Sequence, residues 1–392
     1  MISTPQLIKR LAVVLNATVF LSYLAMCAPL VRDGLPPNAD FTAFYTGWKI
    51  AISGDRLYDL ETQRRYQAQE SPDDLFLPYL NPPHLTLPFA PLAALPRSSA
   101  SSVWLLAQLG LLAYLLHALW RAAARWEPLE RLLMLSTVAA SPFVITSLLN
   151  GAFSIAVALG LLKWCEALRA GEDARAGSWL VAASVKPQHI LLPLAGLFGG
   201  RNRRAAAAFA CLSAALTAAS LAALGWGSLA DYINLLREVA NSPAGLGVFP
   251  ERMPNLKSVL VSLGLPRPNA ASLAGLAAGA ALTFILWRRR RSPPELLAAF
   301  TISSGLFLSP HLNIQDGLSL AVPATLLYGY LRRNNLPRRA FACFAIGVPT
   351  LINAALLLNF MVAYWRLPLL LVTGLIGWSA IYVCRESRRE RL

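Results

Sequence analysis

Long apolar runs, broken by short polar or basic stretches, dominate the chain. Runs of roughly 17 to 22 apolar residues recur from Leu11 onwards, each about the length that crosses a hydrocarbon core of about 30 Å. Spans are predicted near Leu11 to Val31, Val103 to Trp120, Leu132 to Leu149, Ala152 to Leu168, Ala205 to Leu224, Ala270 to Trp287, Leu296 to Leu308, Gly317 to Leu331, Ala340 to Phe360 and Leu367 to Cys384. The seventh and eighth are short, about 13 to 15 residues or roughly 20 to 23 Å at helical rise, so the linker between them must be recessed. The first follows Lys9 and Arg10 as a signal peptide would. Its length and the lack of a clear small-x-small cleavage site favour a retained span.

Trp179 to Phe198 is also apolar and long enough to cross, yet it carries basic residues on both sides and Val185-Lys186-Pro187-Gln188-His189 at its middle. A lysine at mid-membrane costs roughly 2.5 to 3.5 kcal/mol on insertion scales. Two half-helices forming a re-entrant hairpin over residues 179–198 are therefore predicted, since broken helices persist only where protein or a water-filled cavity surrounds them. An ordinary crossing with violated charge signals is the alternative.

Composition sharpens this picture. Of 392 residues 56% are hydrophobic and 14% charged, which excludes a soluble globular protein. The net charge of +15 would suggest nucleic acid in a soluble chain. Here the basic residues lie in short clusters between apolar runs, at Lys9/Arg10, Arg121/Arg125/Arg131, Arg169/Arg175, Arg201/Arg203/Arg204, Arg288 to Arg291, Arg332/Arg333/Arg338/Arg339 and Arg385 to Arg391, so they read as topology signals. All are placed on the cytoplasmic side, with both termini, and no nucleic-acid partner is implied. The five cysteines lie in or beside apolar runs with no CxxC or Cys/His spacing, as inert thiols at lipid depth or in the core do.

Two long segments then fall on the exoplasmic side, residues 32–97 and 225–268. In the first, Phe41, Phe44, Tyr45, Trp48 and Ile52 stack on one helical face after Asp40, with Thr42, Thr46 and Lys49 on the other, which predicts an interfacial helix lying flat on the membrane. Asp40 is either its N-cap or a chemical group at the membrane surface. Tyr79 to Pro96 repeats proline too often for a continuous helix, so it is a rigid segment that lines a lipid-access groove or merely connects. Its His84 is either an interfacial histidine with no chemical task or a substrate contact. The recessed linker Ser309-Pro310-His311-Leu312-Asn313-Ile314-Gln315-Asp316 places ionisable groups at depth, where they line a substrate path or pair with each other, His311 to Asp316.

The chain holds no DxD, Walker sequence or HExxH, and no GxGxxG on a strand, which argues against a soluble nucleotide donor, a metal or a cofactor. Four stretches give it a likeness: Asp40-Phe-Thr-Ala-Phe-Tyr with Gly54-Asp-Arg-Leu-Tyr58-Asp59, the Asn81-Pro-Pro to Leu95-Pro96 segment, Val185-Lys186-Pro187, and Ser309-Pro310-His311 with Asp316. Through them the chain resembles the polyprenol-phosphate-sugar-dependent glycosyltransferases of family 87, which include polyprenol-phosphate-mannose-dependent mannosyltransferases. After the third span, members often show a Gly-Gln-x-Asn-like stretch where this chain has Asn150-Gly151-Ala152-Phe153-Ser154. Asn150 either replaces a lost amide or ends a helix.

The resemblance implies a GT-C fold: an all-α polytopic bundle of about ten transmembrane helices plus the hairpin, in one domain. It also implies that an acidic residue opening the first exoplasmic loop is the general base, a position Asp40 occupies. The expected reaction moves a sugar, mannose first among candidates, from a membrane-bound polyprenyl phosphate to a glycolipid or glycan acceptor, with inversion. His311 and Lys186 would hold the phosphate and Asp316 would orient His311. Asn313, Tyr45, His84 and Asn150 complete the candidate substrate contacts. A lipid or solute transporter is the rival reading, with a scaffold subunit third. The expected location is the bacterial plasma membrane.

Overall fold

The computed structural model describes residues 4–70, 76–241, 249–289, 291–357 and 361–389, and among these the chain is helical with no strand. Asp73, Asp74, the middle of the second long loop, Arg290 and the last residues of the basic tail lie outside the described residues. The helices are, in order, α1 (Thr4–Asp33), α2 (Asp40–Ser53), α3 (Leu60–Glu70), α4 (Thr86–Phe89), α5 (Arg97–Ala122), α6 (Pro128–Ala139), α7 (Pro142–Asn150), α8 (Ser154–Ala170) and α9 (Asp173–Ala183). There follow α10 (Leu191–Gly199), α11 (Arg203–Leu224), α12 (Ser228–Asn241), α13 (Leu256–Ser262), α14 (Pro268–Arg289), α15 (Pro294–Leu308), α16 (Ala321–Arg333), α17 (Arg339–Leu357) and α18 (Met361–Arg389).

Helices suit a bilayer because each satisfies its own backbone where no water can. Six described stretches are long and apolar enough to cross a membrane: Gln6–Asp33, Arg97–Ala122, Pro128–Asn150, Arg203–Leu224, Pro268–Arg289 and Arg366–Ser387, with shorter apolar helices at Pro294–Leu308 and Arg339–Ala355. The protein is thus a polytopic all-α membrane protein. Fewer long helices form than the ten spans expected from hydropathy. The reason is visible in α8 and α16, whose residues are mostly buried against other helices. An apolar run reads the same in sequence whether lipid or protein covers it.

Proline sets the breaks. Leu132 to Leu149 divides into α6 and α7 at Ser141-Pro142, and the stretch around Lys186 divides into α9 and α10, joined by the 3-10 turn Pro187–His189. Helices of 11 and 9 residues are about 17 and 14 Å long, well short of a hydrocarbon core.

The position of α2 departs from expectation. Its aromatic face meets protein instead of headgroups: Phe41, Tyr45 and Trp48 are at most 2% exposed, and Thr42 and Thr46, expected on an outward polar face, are buried as well. Trp104 of α5 is the hub, with ring centroids 5.5 Å from Trp48, 5.2 Å from Phe89 and 5.1 Å from Phe153. Pairs of this kind add about 0.5–1.5 kcal/mol each beyond their buried area. The Trp104 indole also donates to the Gly151 carbonyl at 2.7 Å.

Gly151 ends α7 in the left-handed region (φ 65°), and a Cβ there would meet Leu35, Phe41 and Trp104 at 2.9–3.2 Å. The left-handed conformation alone costs a Cβ-bearing residue roughly 1–2 kcal/mol, and overpacking typically adds 1–3. Gly151→Ala is therefore expected to lower the unfolding midpoint of the detergent-solubilised protein by several degrees. An unchanged melting curve would contradict this packing.

Candidate active site

Four separate stretches converge near the start of α2. Lys186 must leave the helical region because the following proline crowds it, and it adopts an extended conformation (φ −123°, ψ 90°) just after α9. The recessed linker folds as a 3-10 turn over Ile314–Leu320, opened by a capping box in which Asn313 and Asp316 bond each other's backbone. Asp316 is fully buried. One of its carboxylate oxygens accepts from Lys186 Nζ and from Ser154 Oγ at 2.7 Å, while the other accepts from Asn313 N at 3.0 Å and faces His189 Nε2 at 3.7 Å. Lys186 also donates to Ser154 at 3.2 Å. A buried carboxylate persists only when paired and hydrogen-bonded in this way.

Asp40 joins the array through the neighbouring residue, Gln315, whose Nε2 donates to Asp40 Oδ2 at 3.1 Å. The helix cap is Ala39 and makes no side-chain bond, so Asp40 is the first helical residue and not the N-cap. Burial raises the Asp40 carboxyl above the ordinary aspartate range; nearby Lys186 and the Gln315 hydrogen bond pull it down, and Asp316 adds to the rise. The result is a carboxylate held by one amide, with capacity left to accept a proton.

His311 lies within electrostatic reach of Asp316, Lys186, His189 and Lys257, and burial pushes the pKa of its imidazole down to about 4. Lys257 belongs to α13, and Asn255 ties that helix to the recessed linker by donating to the Ser309 carbonyl at 2.9 Å. Half-buried and with no hydrogen-bond partner among the described residues, the Lys257 ammonium is pushed below the usual lysine range by burial. It offers positive charge that no carboxylate already neutralises.

Several expectations are corrected by this geometry. Asp316 bonds Lys186, Ser154 and the Asn313 backbone, and the imidazole facing it is His189, so it does not orient His311 by a hydrogen bond. Tyr45 is buried and its hydroxyl donates to the Leu95 carbonyl at 2.8 Å, which leaves it a packing residue with no face for substrate. Asn150 donates back to Thr146 O at 2.8 Å and precedes the Gly151 cap, which supports the helix-ending alternative. Asn313 is occupied by its capping box. His84, in the 3-10 turn Pro83–Leu85, stands 3.4 Å from the Ser184 hydroxyl, beside the Lys186 turn.

Sequence reasoning assigned no individual role to Ser154, His189, Lys257 or Gln315. Gln315 stood out only as one polar group of the recessed linker and His189 as three residues from a lysine at a helix break; Ser154 and Lys257 carried no signal. No cluster of three or more His, Cys, Asp or Glu side chains suited to a metal ion occurs among the described residues.

Chemically, the arrangement links the Asp40 carboxylate through Gln315 to the turn that holds the Asp316–Lys186 ion pair, with His311 and Lys257 within electrostatic reach of that pair, which suits deprotonating one oxygen while stabilising charge on another. No curated protein and no solved structure matches the chain. The model of glycosyltransferase family 87 matches residues 79–310, more than half of its length, ending one residue before His311 and beginning after Asp40. By that match the chain belongs to glycosyltransferase family 87 and is a membrane glycosyltransferase.

Proposed function

We propose that the enzyme transfers a sugar, mannose first among candidates, from a polyprenyl phosphate to a hydroxyl of a glycolipid or glycan acceptor. The observation that carries this reading is the array from Asp40 through Gln315 and its neighbour Asp316 to Lys186, with His311 within electrostatic reach of the pair. A polyisoprenoid donor cannot leave the bilayer, so its phosphate and sugar must be met by charged groups at or below the membrane surface. Asp40 takes the proton from the acceptor oxygen as that oxygen attacks the anomeric carbon. The bond from that carbon to the phosphate oxygen breaks, its electron pair leaves with the polyprenyl phosphate, and the anomeric configuration inverts. Lys186 and Lys257 stabilise the charge of the departing phosphate, and His311, whose pKa burial pushes down to about 4 and which is therefore uncharged at neutral pH, donates a hydrogen bond to it. Lys186 is already paired with Asp316, so Lys257 supplies the charge that the phosphate finds uncompensated. Residues 179–198 form the hairpin that carries Lys186 to the site from the side of Arg175 and Arg201. That side is cytoplasmic, both termini lie on it, the site faces outward, and the membrane is the bacterial plasma membrane.

The direct test is to incubate purified protein with polyprenyl-phosphate sugars and a membrane extract and to identify products by mass spectrometry. A glycosylated acceptor is expected from a lipid-phosphate donor, whereas lipid movement in proteoliposomes without any product would overturn the reading.

The protonation of Asp40 adds a pH prediction. Its carboxyl is raised in the folded protein, so the base is lost as pH falls through a value above the ordinary aspartate pKa of about 3.9. Gln315→Leu removes a hydrogen bond that favours the ionised form, and the acid limb of kcat/KM should move to still higher pH. An acid limb that stays in place in that variant would contradict the assignment.

A further inference from the structure

Away from the reacting groups, a cleft opens between α6, α16 and α17 and contains a cavity of about 120 Å³. A single water needs only about 10–15 Å³ measured the same way, but apolar cavities stay dry. Leu133, Val138, Leu320, Ala324, Ala345 and Ile346 are among its walls. It begins at Lys9, Trp126 and Tyr328 and ends at Phe143 and Gly317, one residue from Asp316. Along that wall α6, Pro128–Ala139, runs for about 18 Å at helical rise, enough to hold most of one extended lipid acyl chain.

The mouth has a distinct chemistry. Lys9 lies 3.5 Å from Glu130 and 3.7 Å from Glu127, Arg338 lies 3.9 Å from Glu130, and Arg332 pairs with Glu130 as well. These three cations keep 29–39% of their side-chain surface exposed, so each has donors to spare. Arg333 is taken up by Glu295, so the rim sets Lys9, Arg332 and Arg338 against Glu127 and Glu130, which leaves a positive excess to which Arg10 and Arg339, next in sequence, add. The Trp126 and Tyr328 rings meet at 4.5 Å, an aromatic pair of the kind that marks headgroup depth.

We infer that this cleft binds one anionic phospholipid, with an acyl chain along the slot and its phosphate on Lys9, Arg332 and Arg338. The basic rim selects this occupant over the donor's own tail, because an isoprenoid chain ends in hydrocarbon and gains nothing from charge. The bound chain also has a structural consequence. The Phe143 ring packs where a Gly317 Cβ would stand, at 2.7–2.9 Å, so filling the slot braces the turn that carries Asp316.

The test uses the full chain, delipidated in detergent and then exposed to vesicles of phosphatidylcholine alone or mixed with phosphatidylglycerol, with retained lipid read by native mass spectrometry. One phosphatidylglycerol should be retained and should raise the melting temperature. Arg338→Gln should reduce the preference for phosphatidylglycerol about fivefold, the factor one basic residue near a membrane surface carries. Ala324→Leu and, separately, Ala345→Leu fill the slot with modest added volume and should lose the retained lipid. Equal retention of the two lipids, retention unaffected by either leucine in a folded variant, or displacement by added polyprenyl phosphate would each overturn the assignment.

Discussion

Asp40→Asn should reduce sugar transfer by about 10²–10⁴-fold while leaving donor binding intact, because positioned general bases contribute about that much. Asparagine keeps the size of the side chain and can still meet Gln315, which donates to Asp40 at 3.1 Å, but it has no basic oxygen for the acceptor's proton. The variant should also fold at least as well as the parent. A carboxyl whose folded pKa is raised opposes folding once pH exceeds its unfolded value, so removing the charge does not remove a stabilising term. The measurement is kcat and donor Kd side by side with a melting curve. Loss of donor binding together with activity would place Asp40 among the binding groups instead.

The second large effect concerns Asp316. Replacing one partner of a buried ion pair leaves the other charge uncompensated and typically costs about 3–5 kcal/mol. Asp316→Ala strips Lys186, Ser154 and the Asn313 backbone of their common acceptor, so the solubilised protein should melt markedly earlier. The double variant Lys186→Met with Asp316→Leu should recover much of that stability, since apolar replacements of buried pairs are often neutral. It should not recover transfer if Lys186 holds the donor phosphate. A stable and fully active double variant would reduce the pair to a structural role.

These two predictions separate what was readable in the residues from what was not. The membrane class follows from apolar run length, and Lys186 and Asp316 stand out because charges at depth are expensive. The break at Pro187 was equally legible, since proline removes a donor and restricts the residue before it. The partners were not. Asp316 was matched to His311, five positions away, whereas its side-chain partners are Lys186 and Ser154, more than a hundred positions away. Sequence proximity suggests pairings that only tertiary packing decides.

The same limit explains α2. The spacing of Phe41, Phe44, Tyr45 and Trp48 shows that one face is apolar, but lipid and protein exert the same demand on it. Trp104, Phe89 and Phe153, which cover it, come from three other stretches. Tyr45 therefore looked available for substrate and is packed. Lys257 was invisible for the opposite reason. A lone lysine in a polar loop carries no pattern, and its meaning arises from its burial beside His311.

The claim at the centre of this account is a single direct displacement driven by Asp40 on a lipid-phosphate sugar. The most direct measurement is the anomeric configuration of the product formed by the purified enzyme from a donor of known configuration, read by nuclear magnetic resonance. Inversion is the predicted result. Retention would require a second displacement and would contradict the role given to Asp40.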